Sequence, residues 1–217
     1  MLDELKLSQL LCSRLCHDLV GPAGAVNAGL ELLDEAAPGM EGENGAYALV
    51  GRSARQVTRR LAFFRMAFGM GASAGGNISL AEIRDLAGGL LADGNVALDW
   101  SVQGQYEQDR TLPAPRAKLI LNLMHLAVDA LPRGGLLTVK IAELPEGLAA
   151  AVSAVGQGAG MKDDLIEAMN PNVTDDHLTA RNIHGYFTSR LAQNVGVDIE
   201  MTSAGDKELR LAVLFPN

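Results

Sequence analysis

Residues 7–35 form one long amphipathic segment, and this pattern constrains the fold more than any other feature of the chain. Apolar side chains recur every three or four residues, as expected for a helix with one buried face. That apolar stripe comprises Leu11, Leu15, Leu19, Val26, Leu30 and Leu33. The opposite side, hereafter the outer stripe, comprises Ser13, His17, Gly21, Gly24 and Ala28. Because a glycine costs about 1 kcal/mol inside a helix, the glycines beside the histidine indicate close approach by another protein.

The histidine of the outer stripe begins the run His-Asp-Leu-Val-Gly-Pro at residues 17–22. On the residues alone two interpretations of His17 stay open: an imidazole that carries a phosphoryl group, or an exposed histidine on an ordinary helix. Asp18 likewise either orients the ring or is a solvated acid. Pro22 removes one helix hydrogen bond and clashes with the Asp18 carbonyl, which predicts a kink one turn beyond the histidine. Leu10 shares the outward side and would give a partner helix an apolar contact.

A second amphipathic helix is predicted at residues 46–68, after a turn at 38–45. Its stripe comprises Val50, Ala54, Val57, Leu61, Phe64 and Phe68. Two long helices joined by a short turn predict an antiparallel hairpin domain at residues 1–70. The two stripes are too long to be covered within one hairpin, so we expect a homodimer that forms a four-helix bundle with each His17 on its outside. A glycine-rich linker is expected at residues 71–77.

Residues 78–217 predict a second domain, an α/β sandwich, so the fold class is α+β. Ser79 and Glu82 have the spacing of a capping box for a helix that ends near residue 92. Further helices are expected at 115–131 and 179–194. Strands are expected at 96–102, 136–143, 148–155, 197–202 and 208–215.

The composition excludes several function classes. A net charge of −8 argues against a general nucleic-acid binder, and 48% hydrophobic residues are enough for a packed core. Cys12 and Cys16 lie four residues apart, which is neither a haem-attachment nor a zinc spacing. The acidic start and the lack of an apolar run of membrane-spanning length predict a cytoplasmic protein without a membrane partner.

The order of these parts resembles the catalytic core of two-component sensor kinases, in which a helical hairpin precedes an ATPase-like domain. The run at 17–22 is similar to the kinase H-box. More closely, SRLCHDLVGPAGAVNAGLELLDE (13–35) and SARQVTRRLAFFRMAFG (53–69) resemble the ChpT-type histidine phosphotransferases of alphaproteobacteria. This resemblance covers essentially the whole chain. It implies that His17 is the phosphoacceptor and that the second domain has the histidine kinase (GHKL) ATPase fold.

Two departures from the kinase pattern predict that the second domain is degenerate and binds no nucleotide. In the helix that would hold magnesium, the sequence keeps Asn122 but has Leu126 where a second asparagine is expected. The glycine loop Gly156, Gly158 and Gly160 lacks the aspartate that accepts from adenine, because Ala154 or Gly156 stands there in either register. We therefore expect no cofactor and no metal bound by this chain.

The expected function is that of a phosphorelay histidine phosphotransferase. His17 would take a phosphoryl group from the receiver aspartate of a hybrid kinase and pass it to receiver domains of response regulators, without ATP. The resemblance implies that the receiver supplies the magnesium and that one regulator is a cell-cycle transcription factor. The candidate docking residues are Leu10, Ser13, Arg14, Gly21, Gly24, Ala28 and Arg59. Two alternatives stay open: an ATP-dependent sensor kinase core whose nucleotide motifs are misaligned here, and a non-catalytic dimeric adaptor.

Other polar residues have simpler interpretations. His125 and Asp129, four residues apart on the apolar helix, predict a satisfied structural pair rather than a metal site. His184 is interpreted as an ordinary residue at a helix start. Phe63 and Met66 lie off the predicted stripe and pack either under the second domain or against a partner.

Overall fold

The computed structural model of the protein describes residues 3–35, 41–69, 76–103 and 110–217. Its first part is an antiparallel pair of long helices, α1 (Glu4–Glu35) and α2 (Glu41–Ala67), which pack along one another. The predicted hairpin is confirmed. The predicted turn at 38–45 is wrong for 41–45, which are helical, while 36–40 lie outside the described residues. The predicted linker also falls largely outside them, and its last residue, Asn77, belongs to a strand.

Helix α1 packs closely against α2 at Gly29, the buried residue of α1. A Cβ atom built at Gly29 would lie 2.6 Å from the Val50 side chain and 3.4 Å from the Ala46 carbonyl oxygen. A separation of 2.6 Å is shorter than real Cβ atoms show, so a methyl group at this position would displace Val50. The outer stripe differs, because a Cβ at Gly21 or Gly24 would have nothing within 4 Å among the described residues apart from the neighbouring backbone of its own helix.

Pro22 lies inside α1 without ending it. Since proline has no N–H, the Asp18 carbonyl one turn earlier loses its usual helical donor. Arg60 of α2 supplies a replacement, because its Nη1 donates to the Asp18 carbonyl oxygen over 2.6 Å. A side chain of the second helix therefore satisfies the hydrogen bond that proline removes from the first.

The second part is built on a five-stranded mixed sheet. Its strands are β2 (Val96–Gln103), β4 (Gly135–Leu144), β5 (Gly147–Val155), β6 (Glu200–Ala204) and β7 (Glu208–Pro216), in the order β2-β4-β5-β7-β6. Only the β2–β4 pair is parallel. A separate antiparallel pair, β1 (Asn77–Ser79) and β3 (Thr111–Pro113), has only three residues in each strand and was not predicted.

Among the described residues, four α-helices accompany the sheet. They are α3 (Leu80–Leu91), α4 (Ala114–Asp129), α5 (Asp163–Ala168) and α6 (Ile183–Val195). The predicted cap of α3 is confirmed, since the Glu82 amide donates to the Ser79 hydroxyl over 3.0 Å. Helix α6 begins four residues later than predicted, because the Asn182 side chain folds 179–182 into a turn by accepting from the Thr179 amide. Strand β6 also begins later than predicted, at Glu200.

The core joins both parts of the chain. Phe63, 0% exposed, and Met66 lie off the predicted stripe and are buried in the same cluster as α4 and the sheet. The amide of Asn122 on α4 donates to the Ala67 carbonyl at the end of α2, and the Lys118 amine donates to the Gly69 carbonyl. We call this contact between the end of α2 and α4 the junction. None of the described helices is long and apolar enough to cross a membrane.

Replacing the open Gly24 and the packed Gly29 of α1 by alanine should change the stability of the protein in opposite directions. Gly24→Ala should raise the free energy of unfolding by about 0.5–1 kcal/mol, because alanine favours helix and the site is open. Gly29→Ala should lower it by about 1–3 kcal/mol, because the added methyl overpacks against Val50. Urea unfolding followed by circular dichroism measures both. A Gly29→Ala protein more stable than the wild type would contradict the close packing.

Candidate functional site

His17 stands in the middle of α1 with 83% of its side chain exposed. Ser13, Gly21, Gly24 and Ala28 are exposed beside it, as the predicted outer stripe requires. Val20, one turn away from the histidine, exposes 66% of its surface and is the nearest large apolar residue in sequence on this side. Sequence analysis missed Val20, although its spacing of three from His17 places it next to the ring.

The carboxylate of Asp18 faces the histidine ring. Its Oδ1 lies 3.3 Å from His17 Nδ1. A carboxylate accepts hydrogen bonds, so this contact favours the neutral tautomer that carries its proton on Nδ1. The lone pair of Nε2 then points away from Asp18. Asp18 itself is only 14% exposed in its side chain, which does not fit the alternative of a fully solvated acid.

Arg14 binds two carboxylates at once. Its Nε donates to Asp18 Oδ2 over 2.9 Å and its Nη2 donates to Asp129 Oδ2 over 2.6 Å. Burial alone would lower the pKa of the Arg14 guanidinium, but the Asp129 and Asp18 carboxylates raise it above its ordinary value. Arg14 is a candidate docking residue from the sequence, but its charge is already paired with two carboxylates, one of them from the α/β domain.

Asp129 does not form the predicted structural pair with His125. Its carboxylate bonds to Arg14 instead and lies 3.9 Å from Nδ1 of His184, which is 1% exposed in its side chain and was interpreted as an ordinary residue. Burial would raise the pKa of Asp129, but His125, His184 and Arg14 around it lower it below its ordinary range. The carboxylate is therefore charged, as its ion pair requires.

Two buried histidines, His125 and His184, lie with ring centroids 4.7 Å apart beneath this ion pair. Their Nδ1 atoms have no hydrogen-bond partner among the described residues. Burial lowers the pKa of His125 to about 4, and it also lowers the pKa of His184, with Asp129 opposing both shifts. Both rings are therefore neutral near pH 7.

The residues of the expected nucleotide site are engaged inside the protein. Asn122 is 0% exposed: its amide nitrogen donates to the Ala67 and Lys118 carbonyls, and its oxygen lies 3.1 Å from His184 Nε2. Leu126 is equally buried. In the glycine loop, a Cβ at Gly156 would lie 2.5 Å from the Gly134 carbonyl oxygen, so an aspartate does not fit there.

A cavity of about 680 Å³ lies beside the histidine. Helix α1 forms one wall, and the end of α4 with segments 160–165 and 180–181 forms the other. Arg14, His17, Asp18 and Asp129 all line it. Within the four described ranges, no three His, Cys, Asp or Glu side chains converge in a way that would hold a metal ion.

Two further docking candidates occupy positions that differ from the expectation. Leu10 is half-buried against a cluster that includes Leu178, Ile183 and Tyr186, so its predicted exposure is wrong: the segment before α6 covers this end of α1. Arg59 forms an ion pair with Asp93 over 2.9 Å. Leu10 is therefore covered by this chain itself, and the charge of Arg59 is already paired with a neighbouring acid.

Comparison with known proteins gives one consistent answer. The family "Histidine phosphotransferase C-terminal domain" matches residues 80–207. The protein phosphotransferase ChpT of Brucella abortus (strain 2308) is 31% identical over 206 residues, which are 94% of each chain. The chain belongs to the histidine phosphotransferase family. A solved bacterial phosphotransferase agrees with it over 98% of both chains at 28% identity, with a TM-score of 0.83.

This histidine phosphotransferase acts in a phosphorelay of two-component signalling. A more distant likeness, to full-length ShkA in complex with AMPPNP, covers 96% of this chain and 45% of that one at 17% identity and a TM-score of 0.50. At that identity the likeness shows the fold alone. The predicted fold class, a helical hairpin followed by a domain of the histidine kinase ATPase type, is confirmed.

The buried histidines should make the phosphotransferase sensitive to acid. The pKa of His125 is about 4 in the folded protein and 6.5 ordinarily, so the unfolded chain binds a proton first as the pH falls. Stability is therefore complete above pH 6.5 and declines towards pH 4. From about pH 7.5 to about pH 5 the free energy of unfolding should fall by about 2 kcal/mol. Urea titrations measure this fall, and equal stability at both pH values would contradict it.

Proposed function

We propose that His17 carries the phosphoryl group of this relay. The observation that supports the proposal is the ring itself: its side chain is 83% exposed while Asp18 holds Nδ1. An accessible ring with one nitrogen bonded and the other available is what nucleophilic attack requires. The other histidines differ from His17 in exposure or in their hydrogen-bond partner. His125 and His184 are buried, and the ring of His177 bonds to the Glu167 carboxylate through Nδ1.

The transfer is a displacement at phosphorus. The Nε2 lone pair of His17 attacks the aspartyl phosphate of a receiver, the new N–P bond forms, and the bond between phosphorus and the aspartyl oxygen breaks. The electron pair of the broken bond returns to the receiver as a carboxylate. His17 keeps its proton on Nδ1, so the phosphorylated ring gains positive charge that faces Asp18. Transfer to a second receiver is the same step in reverse.

We propose further that the protein does this without ATP and binds no cofactor. The burial of Asn122 and Leu126 and the tight packing of Gly156 support this, because an amide already bonded three times has nothing to offer magnesium. These contacts disfavour the sensor kinase alternative. In our proposal the receiver brings the magnesium that neutralises the phosphoryl charge.

The proposed partners are the receiver domain of a hybrid histidine kinase and the receiver domains of response regulators. We place their docking surface on the outer stripe together with Val20. Small residues there permit close backbone approach, and an exposed valine gives the apolar contact that Leu10 does not. The exposed thiols of Cys12 and Cys16 fit a reducing compartment, so we place the relay in the cytoplasm.

We also propose that the hairpin forms a homodimer. Leu30 and Leu61 belong to the predicted apolar stripes, yet they expose 47% and 49% of their surface in the single chain. A second hairpin would cover them in a four-helix bundle. Burial of a large apolar side chain contributes about 1.5–3 kcal/mol, and the outer stripe would remain on the outside.

Labelling tests the function and the ATP independence together. A receiver domain phosphorylated with ³²P should transfer label to the wild-type protein but not to His17→Ala, and the label should be stable in base and labile in acid. Incubation of the wild type with labelled Mg-ATP should leave it unlabelled. The control His177→Gln removes an exposed histidine elsewhere and should keep the label. Label on His17→Ala would refute the assignment, and label from ATP would support the kinase alternative.

A bulky residue on the outer stripe should block the receiver. Gly24→Tyr should slow transfer at least about tenfold, because tyrosine occupies space that the partner needs. The control is Gly45→Tyr on α2, at another glycine with open surroundings. Gly45 lies near Gly29 of α1, which is about 18 Å from His17 along that helix. Light scattering should show a dimer for the wild type and for both variants. A Gly24→Tyr protein that transfers at the wild-type rate, or a monomeric wild type, would contradict this arrangement.

A further inference from the structure

Asp18 needs help to face the ring of His17. Adjacent residues of a helix point about 100° apart, so a carboxylate at one position does not by itself turn towards the side chain at the next. In this structure Oδ1 nevertheless lies 3.3 Å from His17 Nδ1. The other oxygen, Oδ2, accepts from Arg14 Nε over 2.9 Å. The two oxygens thus have separate partners, and the arginine determines the orientation of the carboxylate.

Arg14 is in turn held from the other domain. Asp129, at the end of α4, accepts from Arg14 Nη2 over 2.6 Å, and the Arg181 carbonyl accepts from Nη1 over 3.4 Å. Of the three ion-paired side chains, Arg14 and Asp18 are 16% and 14% exposed and Asp129 is 30% exposed. A planar guanidinium that bonds two carboxylates through different nitrogens has little freedom to rotate. A residue of the α/β domain therefore fixes a side chain of the histidine-bearing helix.

The charges also require this arrangement. Asp18 and Asp129 are two carboxylates that share one guanidinium, and no other cation bonds to either of them among the described residues. Without Asp129, Arg14 would lose its link to α4 and could turn into the cavity that both line. Without Arg14, two neighbouring carboxylates would repel each other. Each member of the chain Asp129–Arg14–Asp18 thus depends on the next.

We propose that Asp129 and Arg14 are positioning residues for phosphotransfer: acting through Asp18, they hold the imidazole of His17 with its proton on Nδ1 and with Nε2 available to the phosphoryl group. This assignment rests on the proposed role of His17. It gives the α/β domain a direct part in the reaction, in addition to any contact it makes with a receiver.

The tautomer of His17 reports the proposed effect directly. Long-range ¹H–¹⁵N spectra of the full chain distinguish Nδ1–H from Nε2–H rings, and the bonded nitrogen determines which form prevails. The Nδ1–H form should dominate in the wild type and lose its dominance in Asp129→Asn and in Arg14→Lys, whose ammonium lacks the fork that bonds two carboxylates. The matched control is Asp93→Asn. Asp93 also pairs across the two parts of the chain, with Arg59, and is 31% exposed.

Transfer kinetics separate positioning from docking. In single-turnover reactions at saturating phosphorylated receiver, Asp129→Asn should lower the rate about tenfold and leave the half-saturating receiver concentration within about twofold of the wild type. Asp129→Glu keeps the carboxylate and should recover most of the rate. Asp93→Asn should behave as the wild type, and thermal unfolding identifies any variant that has not folded.

The outcomes separate this proposal from the function on which it rests. Label on His17→Ala would refute the role of His17, while the tautomer measurement would still decide whether Asp129 and Arg14 orient the ring. An unchanged Nδ1–H tautomer in folded Arg14→Lys and Asp129→Asn would overturn the positioning proposal. A change only in the half-saturating concentration would overturn it too, because it would make Asp129 a docking residue.

Discussion

The junction between α2 and α4 is the contact on which the rest of the structure depends. Carbonyl groups at the end of a helix have no partner within the helix, and here the Ala67 and Gly69 carbonyls are satisfied by Asn122 and Lys118 of the α/β domain. The aromatic rings of Phe63 and Phe64 pack beside His125 at the same place. These contacts set where α1 lies against the end of α4 and make the ion pair between Arg14 and Asp129 geometrically feasible.

In the α/β domain, polar side chains thus make contacts inside the protein where the kinase pattern would have them contact a nucleotide. The resemblance to kinases implies that an asparagine on α4 would face a ligand. Instead, the Asn122 side chain is hydrogen-bonded to the end of α2 and to His184. Asp129, at the end of the same helix, reaches outwards and lines the cavity beside His17. The α/β domain thus contributes a carboxylate that pairs with Arg14 of the histidine-bearing helix.

The sequence predicted well what depends on local periodicity. The stripe of small residues around His17, the cap formed by Ser79 and the strands at 96–103 and 135–155 all follow from spacing within one segment. The sequence predicted poorly the features that depend on contacts between distant segments. Arg14 and Asp129 lie 115 positions apart, so no local pattern could pair them. The three-residue strands β1 and β3 are too short for any period to appear.

The glycines of α1 lie in two different environments. A Cβ at Gly29 would collide with Val50, whereas one at Gly21 or Gly24 would contact nothing among the described residues beyond its own helix backbone. Substitutions on the outer stripe are therefore uncoupled from the packing of the hairpin. If receivers dock on the outer stripe, as we propose, two copies of such a chain that diverged after duplication could each acquire a different set of receivers by changes at these positions. The fold would thus permit the choice of signalling partners to change without loss of a stable hairpin.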